Sequence, residues 1–551
     1  MGNLKNGLNG FLNLVKLEQR EISSIYFYAV LSGLAQLSVP VGVQAIIGFV
    51  LGASMVTSIY VLITVVVLGV LLVGLLQVNQ MKIIEKIQQK IFTRNAFEFT
   101  EAIPRFDLLK TDQYYLPEKV NCFFDTLNIQ KGLSKILLDV PTASIQILLG
   151  LILLSLYHPV FLIFDLVLLF ILWLILRLTG KNGIQTNFEE STNKYIVVAW
   201  LEEMARVIKS FKLSHGTHLN LQKTDNKLLA YLGARTAHFR VLLFQYRTLV
   251  YFKVAITATM LIVGTHLLLT QQLNIGEFIA AEIIILTVIS AVEKLISSLE
   301  SVYDVITGLE KTASVTGMEK DRDGSIDLEA AHGLAVKMTD VSFAYPDEGN
   351  VLLGIHLDVP SNCKVSISGA EGSGKSTLMK LLSGNYSYFG GSILINNIPI
   401  GNYSLESLRS KTGAYLNYQD IFEGTVWENI SLGRPGITAE RITQIAEKTG
   451  LGSFLHTLPL GYETQTDALG KRLPANVVKK IILLRALANE PALLLMEEPW
   501  LGLDEGTRGK LMHYLLYELP LTTVFVVTND NDFANKCHYS FSINEGKLEK
   551  K

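Results

Sequence analysis

The chain divides by the pattern of its apolar positions. Before about residue 300, long apolar runs dominate, at about 23–51, 55–79, 136–157, 159–177, 249–271 and 276–297. The first four are long enough to cross a bilayer as helices. The last two carry ionisable residues and pass into amphipathic helix. Two connections, 80–135 and 178–248, are long and basic, and their apolar residues keep helical spacing: Ile83, Ile84, Ile87 and Ile91 in one, Leu228, Leu229 and Leu232 in the other. The turns near 52–54, 157–159 and 271–275 are short and hold no Lys or Arg. The positive-inside rule therefore places the long connections and the N-terminus in the cytoplasm, into which the last span also exits. Helical connections would carry each hairpin tens of ångströms past the bilayer, to a turn able to touch a soluble domain. Residues 1–22 place Leu4, Leu8, Phe11, Leu12 and Val15 among Lys5, Lys16 and Arg20, which fits an amphipathic helix at a membrane surface or an ordinary frayed terminus.

Residues 311–334 lose the apolar pattern, and the charged stretch Glu319–Ser325 reads as a linker. From 335 to 551, β-branched runs alternate with helical ones, an α/β pattern. The predicted class is thus multi-domain: an all-α six-span domain over 23–310 and an α/β domain over 335–551. Composition agrees, because 49% hydrophobic and only 18% charged residues are unusual for a soluble protein. A net charge of −2 gives no sign of a nucleic-acid partner. Cys122, Cys363 and Cys537 lie far apart without metal-ligand spacing and read as reduced, inert thiols.

One stretch in the second half carries explicit chemistry. Gly369-Ala370-Glu371-Gly372-Ser373-Gly374-Lys375-Ser376-Thr377 is a phosphate-binding loop, placed between an apolar strand at Val365–Ser368 and a helix opening at Leu378. Gly369, Gly372 and Gly374 let backbone N–H groups approach phosphate, and the helix N-terminus adds partial positive charge. Lys375 would reach the β- and γ-phosphates, and Ser376 would ligate Mg²⁺. Glu371 is unfavourable there unless it points outward. The expected ligands are ATP and Mg²⁺.

Six spans with long cytoplasmic hairpins, followed by one P-loop domain, resemble an ABC exporter half-transporter over nearly the whole chain. Val341-Ser342-Phe343-Ala344-Tyr345-Pro346 is similar to the family's opening strand, which implies that Tyr345 stacks on adenine; the alternative is a Tyr covering the sheet edge. The run Leu408–Asn417 aligns with the family's Q-loop so that Asn417 replaces the glutamine, with Gln419 two residues out of register. Leu473-Pro474-Ala475-Asn476-Val477 stands where the family has Leu-Ser-Gly-Gly-Gln, so the signature is almost lost. Glu497 takes the place of the magnesium-associated Asp, and Glu498 matches the catalytic base; either could simply be solvated at a strand end. Asn529 stands where the family has its switch histidine. Leu137-Leu138-Asp139-Val140-Pro141 and Leu273–Ala281 are similar to spans of the type I secretion group. About 22 residues precede the first span, too few for the leader-cleaving peptidase many relatives carry.

The resemblance implies a dimer with a second half-transporter, identical or different, in the cytoplasmic membrane. It also implies a periplasmic adaptor protein as a partner. Each ATP would lie between one chain's loop and the other's signature. Two functions follow: ATP-driven export of a peptide, protein or other amphiphile, with hydrolysis slow or dependent on a partner chain, or a pseudo-ATPase regulating a membrane partner. Asp165, His266 and Glu282 lie at similar depth in three spans, about 10 Å from the outer end, and either form a polar cluster or reach singly to the headgroups.

Overall fold

A computed structural model describes residues 2–52, 56–112, 115–214, 217–329, 332–346, 349–417 and 419–551. The chain forms two compact units, residues 1–104 with 114–318, and residues 105–113 with 319–551.

In the first unit, six helices are long and apolar enough to cross a membrane: Gln19–Leu51, Thr57–Arg105, Leu116–Tyr157, Pro159–Arg206, Leu219–Leu269 and Ile275–Thr316. The expected spans match them, the second and fifth runs overshooting a helix end by two residues, and the helices run on into the polar connections as the spacing predicts. Their ends have local causes. The short turn after the third helix starts the fourth with His158 as N-cap, its ring accepting the Val160 N–H, and Pro159 in the first turn. The sixth starts with a capping box, Asn274 accepting the Glu277 N–H while Glu277 accepts the Asn274 N–H. The first is broken at Leu37, because Pro40 three residues on cannot donate to the preceding turn. Most of the turn between the first two helices lies outside the described residues.

The third and sixth helices form the unit's core. Gly132 lets them close in, since a Cβ there would sit 3.0 Å from the Ser301 carbonyl oxygen. Gly2–Leu17 is helical. It buries Leu14 while Leu8 and Leu12 stay exposed, and Gly7 lies against Ile306 of the sixth helix. The expected linker begins as helix, because the sixth helix continues to Thr316.

In the second unit, a six-stranded sheet has the order Lys547–Lys550, Tyr539–Asn544, Lys364–Gly369, Thr523–Val527, Leu493–Glu497, Thr412–Tyr415. All its pairs are parallel except the outermost, Tyr539–Asn544 with Lys547–Lys550. Leu493 and Leu495 enter one apolar cluster, and Leu494 and Met496 enter another on the opposite face. Coverage of both faces explains why these strands read as unbroken apolar runs. A smaller antiparallel sheet pairs Val336–Ala344 with Asn350–Val359 and Gly390–Ile395.

Arg485, on the helix Ala475–Leu487, fastens that helix to the rest of the unit. It is 8% exposed, and its guanidinium donates to the carbonyls of Asn429 at 2.7 Å and Asp420 at 2.9 Å. Burial lowers its pKa to about 10. Arg485→Ala would leave these buried acceptors unpaired and should destabilise the unit by about 3 kcal/mol. Thermal unfolding of the full chain checks this, and an unchanged midpoint would contradict the assignment.

Candidate functional site

Parallel strands bring their C-terminal ends to one edge of the sheet, where ligands bind in open α/β folds. Here those ends are Gly369, Asn417, Glu497 with Glu498, and Thr528 with Asn529. Strand register puts Val527 beside both Ile367 and Glu497. Four stretches far apart in sequence therefore meet around the loop 370–374.

The loop leads into the helix Lys375–Leu382, with Gly374 at its N-cap at φ +102°. A Cβ on Gly374 would come within 2.7 Å of Leu352, so both the turn and the packing require glycine. Gly372, at φ +75°, faces open space. The Lys375 ammonium is folded onto the loop, donating to the carbonyl of Gly369 at 2.9 Å and to that of Ala370. Phosphate oxygens would replace these neutral acceptors with charged ones.

Glu497 is 1% exposed. Its Oε2 accepts the backbone N–H of Asn417 at 3.2 Å, whereas Oε1 is buried without a partner. Burial pushes its carboxyl above the ordinary value, and the Asn417 N–H and the Ser376 hydroxyl pull it back. A hydroxyl beside an orphaned carboxylate oxygen fits a hard divalent cation, which takes oxygen ligands. Glu498 has its backbone at φ +43° and accepts the Thr528 hydroxyl at 3.3 Å. Asn529 Oδ1 accepts the Gly369 N–H at 3.2 Å, joining the end of the neighbouring strand to the loop. Tyr345 donates or accepts through its hydroxyl to Thr377 Oγ1 at 3.1 Å, and its ring stands edge-on to Phe343 and Tyr386.

Asn417 reaches the site through its backbone, and its side chain is exposed. Gln419 is turned away, its Oε1 accepting the Leu416 N–H at 3.1 Å. The stretch Leu473–Val477 opens the helix Ala475–Leu487, with Pro474 as N-cap. Pro474 has no hydroxyl to offer, yet the exposed Ala475 and Asn476 keep N–H groups that meet no acceptor among the described residues. Val477 is 7% exposed and belongs to the apolar core, so its side chain leaves the helix tip altogether.

Sequence reasoning passed over three contributors. Lys479 Nζ donates to the carbonyl of Glu498 at 3.3 Å and to that of Leu501. Thr528 orients Glu498. Tyr386 donates to Asp112 Oδ2 at 2.7 Å and accepts from Lys380 at 2.7 Å, tying the stretch 105–112 to the helix that follows the loop. Each depends on chain reversals that spacing does not reveal.

No hydrogen bond or ion pair joins Asp165, His266 and Glu282, the expected cluster, among the described residues. Asp165 lines a cavity to which the other two do not contribute, His266 is exposed, and Glu282 Oε2 is buried without a partner.

Comparison with known proteins agrees with this architecture. Residues 352–501 match the family model described as ABC transporter. An uncharacterised ABC transporter ATP-binding protein of Bacillus subtilis is 29% identical over 262 residues, 47% of this chain and 46% of the relative. A probable ABC transporter ATP-binding/permease protein of Haemophilus influenzae is 29% identical over 306 residues, 54% of this chain and 55% of the relative. The chain thus matches about half the length of these curated relatives. A solved structure of a bacterial Atm1-family ABC exporter with ATP bound superposes with a TM-score of 0.86 at 16% identity, covering 97% of this chain and 95% of that one. Residues 352–501 accordingly match an ABC transporter domain, and the chain as a whole has the fold of that exporter structure, six span-length helices followed by one such domain.

Proposed function

We propose that the chain is one half of a dimeric, ATP-driven exporter of the cytoplasmic membrane, moving a peptide, protein or other amphiphile outward. The observation that carries this reading is the convergence of Lys375, the Ser376 hydroxyl and the orphaned Glu497 oxygen at a phosphate-binding loop, in a chain with six span-length helices. Lys375 and the loop N–H groups bind and orient the triphosphate. Ser376 and Glu497 would hold Mg²⁺, which neutralises charge on the phosphate oxygens. Glu498, held by Thr528, accepts the proton of the attacking water. Phosphate release by the purified protein, alone and with candidate partner chains, tests the reading.

A second reading is supported by Pro474 at the signature, the exposed side chain of Asn417, and Asn529 at the switch position. In it, the chain binds ATP with little turnover and serves as the non-catalytic half of a heterodimer or as a membrane regulator. The finer kinship to the type I secretion group, and with it a periplasmic adaptor, rests on Leu137–Pro141 and Leu273–Ala281.

Tyr345 supplies a test common to both readings. Tyr345→Ala should weaken ATP binding about tenfold, since base–aromatic stacking contributes about 1–3 kcal/mol. Tyr345→Phe keeps the ring and should bind nearly as the parent. Equal affinities for all three proteins, measured with a fluorescent nucleotide, would assign Tyr345 to the sheet edge instead.

A further inference from the structure

Residue 165 is an acid in a segment that supplies no counter-charge. No Lys or Arg occurs between Lys135 and Arg177, across the whole of two spans. Asp165 is 7% exposed, and its Oδ1 is buried without a hydrogen-bond partner. Ionised carboxylates are rarely left this way, because desolvation without a partner is costly. Within membrane spans such groups mark ligand or ion sites.

Asp165 is also placed where a ligand can reach it. It lines a cavity of about 400 Å³ between the third and fourth helices. The walls are aliphatic, with Leu148, Ile152, Leu166 and Leu169 among them, and the other polar side chains lining it are Ser144 and Ser155. The Ser155 hydroxyl is spent on the Ile152 carbonyl at 2.8 Å. Leu148 and Leu166 are 59% and 61% exposed, so the cavity opens on the outer surface of the helices. Its volume falls in the range of small-molecule sites, which combine apolar walls with a few fixed polar groups.

We infer that this cavity binds a lipophilic organic monocation, its charge on Asp165 and its hydrocarbon against the leucine walls. The match is one of complementary charge in apolar surroundings. A neutral lipid tail would leave the buried Asp165 oxygen without a partner, and a hydrophilic cation would gain nothing from the walls. The inference takes from the proposed function only that these helices lie in a bilayer, and it names the class of amphiphile that the chain would handle.

The test is equilibrium binding of tetraphenylphosphonium to the full chain in lipid nanodiscs, without nucleotide. Tetraphenylborate, of the same shape and opposite charge, is the control. Saturable binding of the cation is expected to weaken about 10²-fold in Asp165→Asn, because a desolvated charge pair is lost. It should survive in Asp165→Glu and fall in Leu166→Trp, which fills the cavity and keeps the acid. The borate should gain affinity in Asp165→Asn. Unchanged cation binding in Asp165→Asn, or equal binding of both ions to the parent, overturns the inference. So does absence of cation binding together with loss of dimer in Asp165→Asn and His266→Ala, which would assign the cavity to a second copy of the chain. Nucleotide binding measured on the same preparations reports separately on the ATP reading.

Discussion

Lys375→Ala is expected to abolish ATP binding at concentrations that saturate the parent protein. Lys375 already sits inside the loop, held by the Gly369 and Ala370 carbonyls. A triphosphate entering the loop exchanges those neutral contacts for charge-assisted ones, about twice as strong. Removing the ammonium leaves the phosphates facing backbone N–H groups and the helix N-terminus, whose partial charge contributes only about 0.3–1 kcal/mol. Losing a hydrogen-bonded charge in a desolvated site costs about 2–5 kcal/mol, or roughly 30-fold to several thousand-fold in affinity. Titration with a fluorescent ATP analogue and Mg²⁺ measures this. Lys375→Arg should recover little, because the compact ammonium fits the loop and the guanidinium does not. Unaltered affinity in Lys375→Ala would remove this loop from the function.

The second large effect concerns turnover. The chain alone should hydrolyse ATP very slowly, and robust turnover should require a different half-transporter with an intact signature. Where the family has a serine hydroxyl, this chain has Pro474 at the helix N-cap. Loss of one transition-state donor slows a site by about 10²–10³-fold. The N–H groups of Ala475 and Asn476, which meet no acceptor among the described residues, preserve a helix tip able to attract phosphate, so association of two copies on ATP is still expected. A homodimer repeats the lost hydroxyl at both sites. A heterodimer can place an intact signature over the site built on Lys375, Glu497 and Glu498. Turnover by that pair should fall about 10²–10⁴-fold in Glu498→Gln, which keeps the Thr528 contact and removes the proton acceptor. A complementary variant, restoring three signature residues with Pro474→Ser, Ala475→Gly and Asn476→Gly while leaving the buried Val477, should raise the homodimer's rate. Phosphate release assays decide, and fast Glu498-dependent hydrolysis by the unmodified homodimer would refute the account.

The two halves of the chain were legible to different degrees. Span positions follow from local quantities, the length and hydropathy of each run, and each of the six predicted runs falls on one span-length helix to within two residues. The phosphate loop was legible because its chemistry is contiguous: strand, glycines, Lys375 and Ser376 follow one another without a long-range partner. Glu497 and Glu498 were placed by resemblance, at the end of an apolar run that the structure shows as a central strand.

Sequence alone determined what each element is and how far along it each residue lies. Rise per residue translates directly into depth, which is why Asp165, His266 and Glu282 were set at one level. Only the tertiary structure decided direction. Rotation of a helix about its axis is set by what it packs against, and that packing turned Asp165 into a cavity and His266 to the outside. The same reason governs the ATP site. Val477 faces the core rather than the helix tip, Gln419 turns back on Leu416, and Lys479 reaches the Glu498 carbonyl. These are contacts between segments brought together by folding, and no local period in the chain encodes them.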